Sequence, residues 1–391
     1  MRICHITPKL PPDYSAVAQL PACLGSWSAA TGDDVEYVTY ARGVGSSARG
    51  TDALAGRVVH LPSPDPSGGE AGVRLAGLMS SMLRLALASI RRADVVHLHG
   101  DSLLARTAAL VADLARRPVV LTLYGGEVWE YRRHRLRPDL FTRAYRRAAH
   151  VIFYSQGLLT HAMQLGLGRR DSGVIYPPVL RAFAYCDEVA QFEARTALGL
   201  RARHVLVTVK RVDALGGQRC LLEALSELIR THPDTRLVVC GTGPLLAEVK
   251  AAARAWGVEG HVTFTGSLAP EAVARYDAAA DAFVLASHLD SCPPGALEAL
   301  ACGTPVIASD NPGGLELREL FGFDVSIVPR ENPLALARTI VHLLDDKRRV
   351  RASTIELLDR EFRPEHVGAQ YRAVYERVAE RAAAARRAGT A

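Results

Sequence analysis

The chain has 391 residues, with 47 basic and 41 acidic side chains, a formal net charge of +6 and 49% hydrophobic residues. That length suits two ordinary domains rather than one, and the balance of apolar and charged residues excludes a disordered chain. So mild a positive charge excludes a dedicated nucleic-acid binder and suits a polyanionic small ligand or an anionic membrane surface.

Seven cysteines stand at 4, 23, 186, 220, 240, 292 and 302, and no pair has the spacing of a zinc site or a redox pair. They read as reduced thiols of a cytoplasmic protein, with no metal site expected. The opening residues, MRICHITP, run straight into a strand without a charged head and apolar signal core. No apolar run reaches membrane-spanning length; the longest candidate, Leu83 to Ile90, is broken by Arg84.

In chain order, Arg2–Thr7, Val35–Thr39, Val95–His99, Val119–Tyr124 and His150–Tyr154 read as buried strands. Gly72–Arg91 and Ser102–Arg116 carry apolar residues at helical spacing. The pattern then repeats. Strands are expected at His204–Val209, Arg236–Cys240, His261–Thr265, Ala282–Ala286, Pro305–Ala308 and Val325–Val328. Helices are expected at 218–231, 245–256, 269–279, 295–302 and 333–346. Such alternation predicts two parallel sheets in series, each covered by helices on both faces. The connection between them is expected near Tyr176–Asp187, which holds Pro177 and Pro178. Pro364–Arg387 reads as one long amphipathic helix, with Val367, Tyr371, Val374, Tyr375 and Val378 on one face.

Ligands of open parallel sheets bind beyond the carboxyl ends of the strands, so the residues there matter most. In Ser287–Gly303, SHLDSCPPGALEALACG, a strand ends and a loop carries Asp290. A helix then starts near Pro294 and carries Glu298. A helix start offers free amides and a partial positive charge, which is a site for phosphate. Pro293 and Pro294 supply no amide, so those of Gly295, Ala296 and Leu297 are the expected donors. Asp290 could take sugar hydroxyls and Glu298 a ribose diol. At the next site, Lys210 and Arg211 follow the first strand of the second half; a guanidinium fork suits phosphate oxygens. Arg211 reads as a phosphate ligand against the alternative of a solvated surface cation, and for Lys210 the two readings are balanced. Lys occurs only at 9, 210, 250 and 347, which makes Lys210 conspicuous. Cys240-Gly241-Thr242-Gly243-Pro244 and Thr265-Gly266 are either ordinary tight turns or places where backbone approaches a ligand.

The Asp290-x7-Glu298 pair followed by ALACGTPVIA and Asn311-Pro312-Gly313-Gly314 resembles the donor motif of the retaining GT-B glycosyltransferases of family 4. Arg211 and Gly217 match that family's G-R-x-x-x-x-K-G run, and Cys240–Pro244 its G-x-G-P turn. Val96–Gly100 matches V-H-x-H, Leu121–Glu127 matches T-x-H-G, and Phe362–Tyr375 matches its crossover helix. The resemblance implies an α/β GT-B fold, in which two Rossmann-like doubly wound domains face a central cleft and a C-terminal crossover helix completes the first. Residues 1–182 with 365–391 would bind the acceptor, and 183–364 the nucleotide sugar.

By that resemblance the reaction is transfer of a sugar from a nucleoside diphosphate sugar, UDP or GDP, to an acceptor hydroxyl with retention. Asp290, Arg211, Tyr124 and Glu127 would act in catalysis. Arg211, Lys210, Gly241, Gly243, Gly266, Asp290, Gly295, Ala296, Leu297 and Glu298 would hold the donor, with no cofactor. The acceptor is a small molecule, a lipid-linked molecule or a glycan, in bacterial glycoconjugate or natural-product biosynthesis. The protein would be cytoplasmic, as a monomer or homodimer, with a peripheral contact to the inner membrane face. Four positions depart from the family. Asp290 replaces Glu, Gly216 replaces Lys, Tyr124 replaces His, and the loop Pro8–Ala16 has no Gly. A phenol donates a hydrogen bond but cannot act as an imidazolium. Two alternatives therefore stay open: coupling of a nucleotide-activated cyclitol, and a non-catalytic nucleotide-binding partner subunit. His99 reads as an acceptor contact, and His97 as buried behind it. Arg132–Arg147, with seven arginines, reads as a solvated helix face or as a contact for a membrane or an anionic acceptor.

Overall fold

The computed structural model describes residues 1–41, 54–61, 87–132 and 140–388. Most of the expected helix 72–91, part of the apolar run 83–90, and 133–139 of the arginine-rich segment lie outside these residues. The chain divides into two compact units, 1–177 with 364–391, and 178–363. Residues 179–183 are tied to the second unit: the Val179 amide donates to Phe362 O at 2.8 Å, and the Arg363 guanidinium donates to Phe183 O at 2.9 Å.

Unit one is a seven-stranded parallel sheet. Its strands are β1 Arg2–Ile6, β2 Asp34–Tyr40, β3 Arg57–Leu61, β4 Val95–His99, β5 Val119–Leu123, β6 His150–Phe153 and β7 Ser172–Val174. The spatial order is β3-β2-β1-β4-β5-β6-β7, so the winding reverses between β1 and β4. Side chains alternate across a strand, and each face has its own core. Cys4, Ile6, Val96, Leu98, Leu121 and Val151 pack on one face with Leu104, Ala108 and Leu158. Ile3, Val95, Val120 and Ile152 pack on the other with Leu20, Leu24, Val367, Tyr371 and Tyr375. The last helix, Pro364–Ala388, thus belongs to the first sheet, as its apolar stripe and family resemblance imply.

Unit two is a six-stranded parallel sheet. It holds β8 His204–Val209, β9 Thr235–Cys240, β10 Val262–Gly266, β11 Ala282–Leu285, β12 Val306–Ser309 and β13 Val325–Val328, in the order β10-β9-β8-β11-β12-β13. Its winding reverses between β8 and β11. Leu206, Leu237, Val284 and Ile307 meet Leu221, Leu225, Ile340 and Leu344 in its core.

Two strands and several helices were not legible in the sequence. β7 is a three-residue edge strand without periodicity. β3 is short and only half-buried. The helix Ala16–Ala30 contains Pro21 and Gly25, both helix breakers by propensity. Packing overrides them: a Cβ on Gly25 would lie within 1.8 Å of the Tyr37 hydroxyl, so the glycine makes room for a buried tyrosine.

Candidate functional site

Unit two gathers its chemistry at the reversal between β8 and β11. Lys210 follows β8 directly, Asp290 lies in the loop after β11, and the Lys210 ammonium is ion-paired with the Asp290 carboxylate. The Asp290 side chain is only 7% exposed, and its Oδ2 has no partner among the described residues. Backbone holds this loop in place. The Gly313 amide donates to Asp290 O at 3.0 Å, and Asn311 donates to Ser287 O at 2.9 Å while accepting from the Gly314 amide at 3.0 Å. A Cβ on Gly313 would meet Ser291 O at 2.5 Å and Asp290 Cβ at 2.9 Å, so the glycine lets the two loops close together.

The helix Pro294–Ala301 starts beside this pair. The Gly295 amide, at its second position, has no acceptor within the helix. The Ala296 amide does not fit the expected role: it donates to Pro293 O at 3.1 Å, and Ala296 and Leu297 are fully buried. A tight first turn closes the helix start inward at Ala296. Glu298 is half-buried, and desolvation pushes its carboxyl up from the ordinary 4.5 to about 7. Behind it, Asp277 is fully buried with both carboxylate oxygens unpartnered among the described residues, and burial holds it well above the usual range, with Glu298 adding to the shift.

Lys210 and Arg211 differ in setting. The Arg211 side chain is 64% exposed and pairs with Asp213 at 3.1 Å, whereas that of Lys210 is 20% exposed and turned onto Asp290. Lys210 is therefore the inner cation. At the position of the missing lysine, a Cβ on Gly216 would come within 2.2 Å of the Gln218 amide, which donates to Arg211 O at 3.0 Å.

Gly241 and Gly243 are explained within the protein. A Cβ on Gly241 would meet Lys210 O at 2.1 Å, and one on Gly243 would meet Val212 O at 2.0 Å. Both let the 240–243 turn pack on the strand end that carries Lys210 and Arg211. Gly266 differs. It has φ +75°, and a Cβ there would touch only Thr242 Cγ2 at 3.9 Å, so its surroundings are open.

In unit one, strand alternation places His5, His97, His99 and Thr122 on the face covered by the last helix. His97 bonds Thr122 Oγ1 at 2.8 Å through Nε2 and the Tyr375 hydroxyl at 2.7 Å through Nδ1. His99 bonds His5 Nδ1 at 3.0 Å through Nε2, and the Tyr124 hydroxyl at 2.8 Å through Nδ1. Burial drives the His5 pKa down to about 3 and those of His97 and His99 well below the ordinary value, so all three are neutral. Among the described residues they form the one cluster whose ligand atoms lie within 4.8 Å of one another. Both nitrogens of His97 and of His99 already have hydrogen-bond partners, so this donor set does not fit a metal as it stands. His99 is fully buried, which removes it as a direct acceptor contact.

Tyr124 is half-buried at the end of β5, and burial raises its phenol well above the usual range. Glu127 accepts from the Gly125 amide at 2.9 Å and the Tyr124 amide at 3.3 Å, so its carboxylate caps its own short turn rather than standing free. His5, Asn311 and Gln218 had no role from the motifs. The period-two alternation that puts His5 on the face of His97 and His99 was the available signal for the first.

The model of "Glycosyl transferases group 1" matches residues 191–356, and that of "Glycosyltransferase Family 4" matches 24–180. A GDP-mannose-dependent α-(1-6)-phosphatidylinositol monomannoside mannosyltransferase of Mycolicibacterium smegmatis is 35% identical over 173 residues, 42% of this chain and 45% of that protein. The chain thus matches less than half the length of that relative. A 2-deoxystreptamine glucosyltransferase of Streptomyces kanamyceticus is 29% identical over 353 residues, 84% of this chain and 90% of that protein. Among solved structures, Anabaena HepE in complex with UDP and glucose aligns at TM-score 0.75 and 20% identity, over 96% of this chain and 99% of that one. Sucrose-phosphate synthase from Thermosynechococcus elongatus aligns at TM-score 0.77 and 21% identity, over 97% and 99%. The fold is GT-B. With two doubly wound parallel sheets, a last helix returned to the first, and family models matching most of each half, the chain belongs to the group 1, family 4 glycosyltransferases.

Proposed function

We propose that the protein transfers a sugar from a UDP- or GDP-sugar to an acceptor hydroxyl, with retention at the anomeric carbon. The observation that carries this reading is the convergence of Lys210, Asp290, the Gly295 amide and Glu298 at the switch point of the second sheet. Open parallel sheets bind ligands at that point. Unit two would hold the donor. Glu298 would accept from the ribose hydroxyls, and Lys210, Arg211 and the Gly295 amide would neutralise the diphosphate. Asp290 would accept from hydroxyls of the sugar once Lys210 turns to phosphate. Stabilising charge on the departing diphosphate is the principal catalytic task, and these cations and the helix start are suited to it without a metal.

The acceptor oxygen would bond to the anomeric carbon as its bond to the phosphate oxygen breaks, and the acceptor proton would pass to that departing oxygen. No protein nucleophile is required. Unit one would bind the acceptor, with Tyr124 at the carboxyl end of β5 as a hydrogen-bond donor. The relatives support the donor class: one is named for GDP-mannose, and one structure holds UDP and glucose. They also span lipid and aminocyclitol acceptors by name, so the acceptor class is left as a small molecule, a lipid-linked molecule or a glycan. Among the described residues no helix is long and apolar enough to cross a membrane, and a cytoplasmic enzyme that meets a membrane only at its surface suits that.

The test is transfer from a panel of UDP- and GDP-sugars, with the product's anomeric configuration read by NMR. An α-linked product from an α-linked donor supports the reading. An inverted product overturns retention, and neither transfer nor donor hydrolysis with any member overturns the activity. A nucleotide-activated cyclitol as donor is the second reading. It rests on Asp290, one methylene shorter than the family's Glu, and the same panel tests it.

A further inference from the structure

The hydrogen bonds from His5 to Tyr124 have a direction. His5 lies in β1, His99 ends β4, and Tyr124 follows β5, so the chain of bonds starts at the point where the first sheet reverses and runs outward to a strand end. Among the described residues, His5 Nε2 is buried without a partner. The Tyr37 ring stacks on that of His5 with centroids 5.6 Å apart. A neutral imidazole carries its proton on one nitrogen only. A buried N–H left unmade is costlier and rarer than an unused lone pair, so the His5 proton sits on Nδ1. His5 Nδ1 then donates to His99 Nε2. His99 must in turn carry its proton on Nδ1, which donates to the Tyr124 hydroxyl. Tyr124 accepts there, and its own proton is left to point away from the network.

We infer that His5 and His99 are positioning residues that make Tyr124 an obligate hydrogen-bond donor to an oxygen of a ligand bound at the carboxyl end of β5. This rests on the reading of the site given above for the ligand, but not for the tautomers. It also accounts for a phenol where the family has a histidine. A single hydroxyl whose acceptor side is filled from behind can present only its proton. Burial keeps His97 beside His99 neutral and the Tyr371 and Tyr375 phenols protonated, and the Tyr154 ring meets that of Tyr124 edge-on. Glu127 also faces Tyr124, and its carboxylate is occupied by the backbone amides of Gly125 and Tyr124. The donor is therefore constant across the neutral range, unlike an imidazole there.

The direct test is long-range nitrogen–proton NMR of the full chain labelled with ¹⁵N-histidine, with His5 and His99 assigned from His5→Asn and His99→Asn. Both should show the Nδ1–H tautomer and no titration between about pH 5.5 and 8.5. An Nε2–H tautomer at either, or titration of either, overturns the inference. A pair of isosteric variants then reads the consequence. His5→Asn can still donate to His99 and should keep turnover within about threefold. His5→Asp can only accept; it reverses both bonds, and turnover should fall by roughly 10²-fold, as for Tyr124→Phe. Equal turnover in His5→Asn and His5→Asp overturns the inference. Should His5→Asp not fold, the tautomers of the unmodified protein still decide. Correct tautomers in a protein that transfers no sugar would sink the proposed function and leave this network standing.

Discussion

The Lys210 ammonium and the Asp290 carboxylate, 80 residues apart in the chain, meet beyond the ends of β8 and β11. Each is the other's counter-charge, and each has a proposed ligand group of its own. Lys210→Ala would leave a largely buried carboxylate without its cation, a change that costs about 2 kcal/mol at a site still partly open to solvent. Chemical denaturation should show that loss, and calorimetry should show UDP affinity reduced about tenfold, as for one lost charge-assisted contact. Asp290→Asn should cost less stability and leave UDP binding nearly intact while slowing transfer. UDP binding unchanged in Lys210→Ala would remove this lysine from the diphosphate site.

Glu298 should impose a pH dependence. Its carboxyl is raised from 4.5 to about 7 in the folded protein, so between those values the folded state binds more protons than the unfolded one. Its contribution to stability is therefore full below about 4.5 and falls as pH rises through about 7. Ligation runs the opposite way, because a ribose diol donates best to the ionised carboxylate. UDP affinity should rise through a midpoint near pH 7, and Glu298→Gln should flatten that rise while weakening binding. A UDP affinity independent of pH in the unmodified protein would contradict this role.

Gly216 is not simply a lost lysine. Its missing side chain makes room for Gln218, which holds the Arg211 carbonyl. Gly216→Lys alone should displace that amide and cost about 1–2 kcal/mol. Combined with Gln218→Ala, the lysine should cost less than the sum of the two single changes, and a double-mutant cycle measures the difference. Strict additivity would mean the two side chains do not compete for the same space.

Tyr375 ties the last helix to the first sheet through His97. Tyr375→Phe should leave a buried ring nitrogen unpartnered and destabilise the protein by about 1–2 kcal/mol in urea, with UDP affinity unchanged. An unaltered unfolding midpoint would show that this bond adds nothing to docking of the helix.

Much of the second unit was legible because its strands are near-continuous apolar runs and the candidate site residues follow them directly. Val209 leads into Lys210, and Ala286 into the loop of Asp290. Sequence could not show that Lys210 turns onto Asp290, since the two meet only through the β8–β11 pairing. Nor could it show that Ala296's amide is taken by Pro293, which depends on a tight first turn. Gly241 and Gly243 were legible as turn glycines, but the backbone of Lys210 and Val212 that packs beside each was not. In the first unit the departure at Tyr124 was visible, but its meaning lay in His5, whose only signal was sharing a sheet face with His97 and His99.

The central claim is a nucleoside diphosphate site at Asp290–Glu298. Calorimetric titration of the purified protein with UDP and GDP, beside Glu298→Ala, tests it most directly. At least one nucleotide should bind with a dissociation constant in the micromolar range, and Glu298→Ala should weaken it by tenfold or more, about 1.4 kcal/mol. Failure of both nucleotides to bind at millimolar concentration, or binding indifferent to Glu298, would contradict the account.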